Sequence, residues 1–127
     1  MSKVVLDASA LLAYLNDEPG GDDVPLTGGE AVISSVNLAE AISVLTSRGG
    51  GAELIRAHLS ALSMEVVPLD RASAERAGFL IAKTKRRGLS LGDRCCLALA
   101  GERGLPVMTT DRVWSELDLG LTIHLLR

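Results

Sequence analysis

Five short apolar runs divide the chain, and stretches of helical pattern stand between them. The runs cover 3–6, Ala31-Val32-Ile33-Ser34, Met64-Glu65-Val66-Val67-Pro68-Leu69, Pro106-Val107-Met108-Thr109 and Leu121-Thr122-Ile123-His124-Leu125. Strands joined through helices imply crossover connections and a mostly parallel sheet covered on both faces. The expected fold is therefore α/β, with a five-stranded, mostly parallel sheet as the middle of three layers. At 127 residues and 47% hydrophobic content the chain suits a single domain, 1–127, with one core.

The intervening helices follow from periodicity and breakers. Residues 9–15 are apolar nearly all round, which marks a buried helix. Residues 37–47 place Leu38, Ile42 and Leu45 at i, i+4 and i+7. A helix over 52–62 puts Ile55, Leu59 and Leu62 on one face. A long helix is expected over 71–86, burying Ala77, Leu80, Ile81 and Thr84. Its last turn is basic, and Gly88 stops it. Further helices are expected over 91–102 and 112–117. In the stretch 22–29, Pro25 and Gly28-Gly29 allow at most a short helical turn.

Composition excludes several classes. A net charge of −3 argues against a passive nucleic-acid coat, which is basic overall. No apolar run approaches the ~20 residues of a membrane span. Met1-Ser2-Lys3 leads straight into a strand, so no secretory leader is expected and the cytoplasm is the default compartment. Cys95 and Cys96 are adjacent, and neighbouring cysteines neither pair readily nor form a metal site by themselves. They read as small apolar fillers of a buried helix.

Four acids stand at the starts of helices. Asp7 lies between the first strand and its helix. Glu40 follows Asn37 by three residues and Asp93 follows Ser90 by three, both in the manner of a capping box. Asp111 follows Thr109-Thr110 and opens the short helix to Trp114. A carboxylate in a first helical turn stabilises by ~0.3–1 kcal/mol, which accounts for each acid singly. Together they ask for more. Asp7, Glu40 and Asp111 follow strands closely, so a parallel sheet brings them to its carboxyl edge, where ligands bind. Asp93 joins them if its helix starts there. Two unit charges at ~4 Å repel by about 4 kcal/mol at an effective dielectric of 20. A hard divalent cation, Mg²⁺ or Mn²⁺, offsets that repulsion. Such a site suits hydrolysis of phosphate esters and needs no protein nucleophile. Ser9 has no histidine near it in sequence, and His58 and His124 fall in a helix and the last strand, so a Ser-His-Asp triad has little support.

Four segments resemble one family. Val-Leu-Asp-Ala-Ser-Ala-Leu-Leu at 5–12, Ser-Val-Asn-Leu-Ala-Glu at 35–40, Leu-Ser-Leu-Gly-Asp-Arg at 89–94 and Thr-Thr-Asp-Arg-Val-Trp at 109–114 are similar to the motifs of PIN-domain nucleases. They look most like the VapC ribonuclease toxins of bacterial toxin–antitoxin pairs. The resemblance implies metal-dependent endoribonuclease activity, with Asp7, Glu40, Asp93 and Asp111 as the acidic quartet. Asp7 and Asp93 would be the principal metal ligands, and Glu40 and Asp111 would complete the site directly or through water. Ser9, Asn37, Thr109 and Thr110 match small polar positions that support the ligands. Arg94 and Arg112 flank two of the acids, as solvated side chains or phosphate contacts. The resemblance also implies products with a 5′-phosphate and a 3′-hydroxyl, an RNA substrate, a homodimer and a small VapB-like antitoxin. The departure from the family lies in 22–29, where relatives carry a clearer helix.

Three other readings stay open on the sequence. One is an RNA-processing PIN nuclease without an antitoxin. Another is a PIN scaffold that binds RNA or protein without cutting. The third is a phosphatase with Asp7 as nucleophile, a haloacid-dehalogenase-like chemistry that wants a second Asp where this chain has Ser9.

Overall fold

The computed structural model describes residues 2–127. Its elements run β1 (Val4–Leu6), α1 (Ala8–Leu15), β2 (Ala31–Ser34), α2 (Ser35–Ser47), α3 (Ala52–Ser60), β3 (Met64–Val67), α4 (Arg71–Phe79), α5 (Ile81–Thr84), α6 (Leu91–Arg103), β4 (Val107–Thr109) and β5 (Ile123–Leu125). The strands form one sheet in the order β3-β2-β1-β4-β5, and every pairing is parallel. Among the described residues, no helix is long and apolar enough to cross a membrane.

Alternation along the two central strands builds a core on each face of the sheet. Val4, Leu6, Ala31 and Ile33 pack with Ala10 and Leu11 of α1 and Ala41 of α2. Val5 and Val32 face the other way, onto Cys96, Leu97 and Ala100 of α6 and the buried Trp114. This is the period-two pattern of a sheet covered on both sides. Both cysteines are buried, and burial pushes the Cys96 thiol well above its ordinary range. They fill space, as expected. The stretch 22–29 contributes too. A single 3-10 turn, Gly21–Asp23, leads into Val24 and Leu26, which are buried in the first core.

Two expectations need correction. The helix over 71–86 is broken: α4 ends at Phe79, α5 takes four residues, and a 3-10 turn, Lys85–Arg87, finishes the segment. The cause is competition for carbonyls. Arg94 Nη1 donates to the carbonyl oxygens of Ala77 at 2.9 Å and Gly78 at 3.5 Å, which a continuous helix would use itself. Thr84 Oγ1 donates to the Leu80 carbonyl at 3.1 Å, a back-bond of the kind that bends helices. Ile81 is accordingly exposed, whereas Ala77 and Thr84 are buried. The second correction concerns α2. It starts at Ser35 with Ser34 as its N-cap, whose hydroxyl accepts from the Val36 N–H at 3.1 Å. Asn37 is thus inside the helix, and the Asn37–Glu40 spacing is not a capping box.

The strand order also locates a crevice. From β1 the chain winds outward through β2 to β3, then returns to place β4 on the other side of β1. In open α/β sheets, ligand crevices lie outside the carboxyl ends of strands where the order reverses. Here that point is between β1 and β4.

Candidate active site

Asp7 follows β1 and is the N-cap of α1. Its Oδ1 accepts from the Ala10 N–H at 2.9 Å and from the Ser9 hydroxyl at 2.6 Å. Its Oδ2 accepts from Thr109 Oγ1, at the end of β4, at 2.6 Å. Thr109 Oγ1 also accepts the Asp111 N–H at 3.0 Å, and Ser9 Oγ accepts the Thr110 N–H at 3.0 Å. The two hydroxyls therefore stitch the β1–α1 junction to the loop after β4. Thr110 takes part through its backbone, and Thr109 through its side chain.

Glu40 and Asp93 arrive from the two flanking helices. Asn37 is buried in the first turn of α2. Its Nδ2 donates to Glu40 Oε1 at 2.8 Å and to the Gly92 carbonyl at 3.0 Å, which ties α2 to α6. A Cβ added at Gly92 would collide with the Glu40 carboxylate, so only glycine leaves that carboxylate its seat. Gly92 is a site residue that the sequence reading missed. Its signal was its place beside Asp93 in the Leu-Ser-Leu-Gly-Asp-Arg segment. The box expected at Ser90–Asp93 is present: Ser90 Oγ accepts from the Asp93 N–H at 3.1 Å, and Asp93 Oδ2 accepts from the Ser90 N–H at 2.9 Å. Asp111 caps a 3-10 helix, Arg112–Glu116, by accepting the Val113 N–H at 3.0 Å.

The four acids line a single pocket of about 460 Å³, together with Ser9, Asn37 and Thr110. His58 and His124 are exposed and do not line it. Arg112 is exposed, but Arg94 is not the solvated side chain expected, because it caps α4. Each carboxylate is turned to its own nearby donor. Among the described residues no group of three or more His, Cys, Asp or Glu side chains stands in an arrangement that could hold a metal ion.

Three features suit the pocket to a hard cation. Its ionisable donors are all carboxylate oxygens, the ligand type that Mg²⁺ and Mn²⁺ prefer. Burial raises the Asp7 pKa above its usual value of 3.8. The hydrogen bonds from Ser9, Thr109 and Ala10 oppose the rise, and the Asp93 charge adds to it. A carboxylate that is costly to ionise gains more than an exposed one from a nearby positive charge. Finally, Asn37 Oδ1 is buried and has no hydrogen-bond donor. An orphaned acceptor beside carboxylates matches a site in which a coordinated water donates to it.

Comparison with known proteins bears on this arrangement. The sequence profile of the PIN domain matches residues 4–119, a span that includes all four acids. The chain is 27% identical to a VapC ribonuclease of Rhizobium meliloti (strain 1021), over 91% of this chain and 98% of that relative. Its fold is similar to a chain of the DNA-bound VapBC of Salmonella typhimurium, with a TM-score of 0.73, 24% identity and 100% of both chains covered. It is also similar to VapC20 of Mycobacterium tuberculosis, a sarcin-ricin loop cleaving toxin. There the TM-score is 0.69 and the identity 17%, over 90% of this chain and 94% of that one. At those identities the structural likeness is one of fold. With the profile spanning β1 to beyond the Asp111 helix, the chain belongs to the PIN-domain family.

Proposed function

We propose that the protein is a divalent-metal-dependent endoribonuclease acting as the toxin of a toxin–antitoxin pair. The observation that carries this reading is the convergence of Asp7, Glu40, Asp93 and Asp111 on one pocket at the sheet's switch point. Similarity to a VapC ribonuclease over nearly the whole chain supports it.

Asp7 and Asp93 would be the principal ligands of Mg²⁺ or Mn²⁺, with Glu40 and Asp111 binding directly or through water. A bound cation would supply Lewis acidity, easing deprotonation of the attacking water and offsetting charge on the phosphate. The chain's own residues prepare the pocket. The Ser9 and Thr109 hydroxyls grip both Asp7 oxygens and fix the carboxylate's orientation. Asn37 and Gly92 hold Glu40 against the start of α6. Water adds to phosphorus, and the bond to the 3′-oxygen breaks. The products carry a 5′-phosphate and a 3′-hydroxyl. A VapB-like antitoxin is part of the same reading, supported by the VapBC complex among the similar folds, and a homodimer is proposed with it.

The test is cleavage of a broad RNA panel with Mn²⁺, with EDTA, and by Asp7→Asn and Asp93→Asn. Cleavage by the wild type in Mn²⁺ alone, lost in both variants, is the expected result. Activity that survives both substitutions overturns the site.

A further inference from the structure

The chain carries 13 lysines and arginines against 16 acids. Among the described residues, Lys3, Arg71, Arg76, Arg87, Arg103 and Arg127 sit in ion pairs. Arg94 is taken up by the carbonyls of α4. Of the cations left over, three fall within four consecutive positions: Lys83, Lys85 and Arg86. All three are exposed.

The turn at the end of this strip is tied to the elements that carry two of the four acids. Arg87 Nη1 bonds Glu116 Oε1 at 2.9 Å, which ties the Lys85–Arg87 turn to the short helix capped by Asp111. On its other side, Gly88 and Leu89 lead directly to Ser90, the N-cap of the helix that carries Asp93. Thr84 is buried, and Leu80 and Leu89 pack against the core that holds Trp114. The segment between them is anchored, so its charged side chains are left to solvent. Arg86 precedes Asp93 by seven positions, at most ~24 Å of extended chain.

We propose that Lys83, Lys85 and Arg86 form a track for the phosphate backbone of single-stranded RNA leading away from the scissile bond. The track presupposes the ribonuclease activity proposed for the pocket. An acidic protein with a carboxylate-lined pocket repels a polyanion over about a Debye length, ~8 Å at physiological salt. A strip of unpaired cations tied to the elements that carry Asp93 and Asp111 opposes that repulsion for a strand that extends past them. Phosphate contacts of this kind position a strand without reading its sequence.

The test is binding of a short fluorescein-labelled single-stranded RNA by anisotropy across a salt series, with EDTA present to prevent cleavage. The variants are Lys83→Gln/Lys85→Gln/Arg86→Gln and the charge-retaining Lys83→Arg/Lys85→Arg. Each lost phosphate contact on a single strand removes ~0.7 from the slope of log K against log salt. The triple variant is therefore expected to be shallower by about 2, while the charge-retaining variant keeps the wild-type slope. In Mn²⁺ the triple variant raises KM for long RNA and leaves turnover of a dinucleotide, too short to reach the strip, unchanged. An unchanged slope in the triple variant overturns the track and hands the strip to an acidic partner protein. Wild-type protein that neither binds nor cleaves RNA overturns the ribonuclease reading along with it.

Discussion

Thr109 donates its hydroxyl to Asp7 Oδ2 at 2.6 Å across 102 positions of sequence. Because β4 lies against β1, the last residue of one strand supports the acid that follows the other. This bond lowers the Asp7 pKa against a larger upward push from burial. Thr109→Val keeps the shape of a fully buried side chain and removes the hydroxyl. The Asp7 pKa then rises further. If RNA cleavage needs ionised Asp7, the acidic limb of the pH profile of kcat/KM moves to higher pH, and Thr109→Ser restores it. The lost bond also orphans the Asp111 N–H, so the fold weakens by about 1–3 kcal/mol.

Asp7 ionises at a cost to the fold. Its folded pKa is raised above 3.8, so protonated Asp7 is favoured in the native state. The cost is absent below that value, grows as pH rises through the folded pKa, and is fully present above it. In EDTA, Asp7→Asn is therefore expected to melt higher than wild type at neutral pH, and the two Tm values converge near pH 3. Thermal melts across pH check this. A variant that melts lower than wild type at neutral pH contradicts the assignment.

Gly92→Ala separates site geometry from stability. The added methyl meets the Glu40 carboxylate, the free end of a flexible side chain, which must move away. Alanine favours the helix by ~1 kcal/mol over glycine, which offsets the local crowding. Tm is expected to stay within about 3 °C of wild type, while RNA cleavage falls by tenfold or more. Equal cleavage by the variant would show that Glu40 need not stand where it does.

Arg94→Ala acts on the fold. It frees the Ala77 and Gly78 carbonyls at the end of α4 and removes a cation that favours that helix terminus. The expected loss is about 1.5–3 kcal/mol, the range for hydrogen bonds to a charged group. Urea unfolding measures it. The salt dependence of RNA binding should not change, since the guanidinium is committed to protein carbonyls. A shallower salt slope would return Arg94 to the set of phosphate contacts.

The parts legible in the sequence are those set by local pattern. Alternating apolar runs and helical periodicity located all five strands, with 31–34 matching β2 to the residue. The Ser90-x-x-Asp93 spacing foretold a real capping box, because a cap involves only one helical turn. The same spacing at Asn37–Glu40 misled, because Ser34 is the better-placed cap and the helix starts earlier. The long helix over 71–86 fails for a different reason. Its break is made by Arg94, which no pattern within 71–86 contains.

What the tertiary structure decided is how the distant groups meet and whether Asp93 joins them. Asp7, Glu40, Asp93 and Asp111 could be named from the chain, but their sharing of one pocket depends on the order β3-β2-β1-β4-β5 and on α2 lying against α6. The support of Asp7 by Thr109 and the seat of Glu40 on Gly92 arise the same way. Local sequence sets the energy of a turn or a strand. The contacts that shape the site are long-range, and they form only once the sheet order has paid the entropy of closing the chain between them.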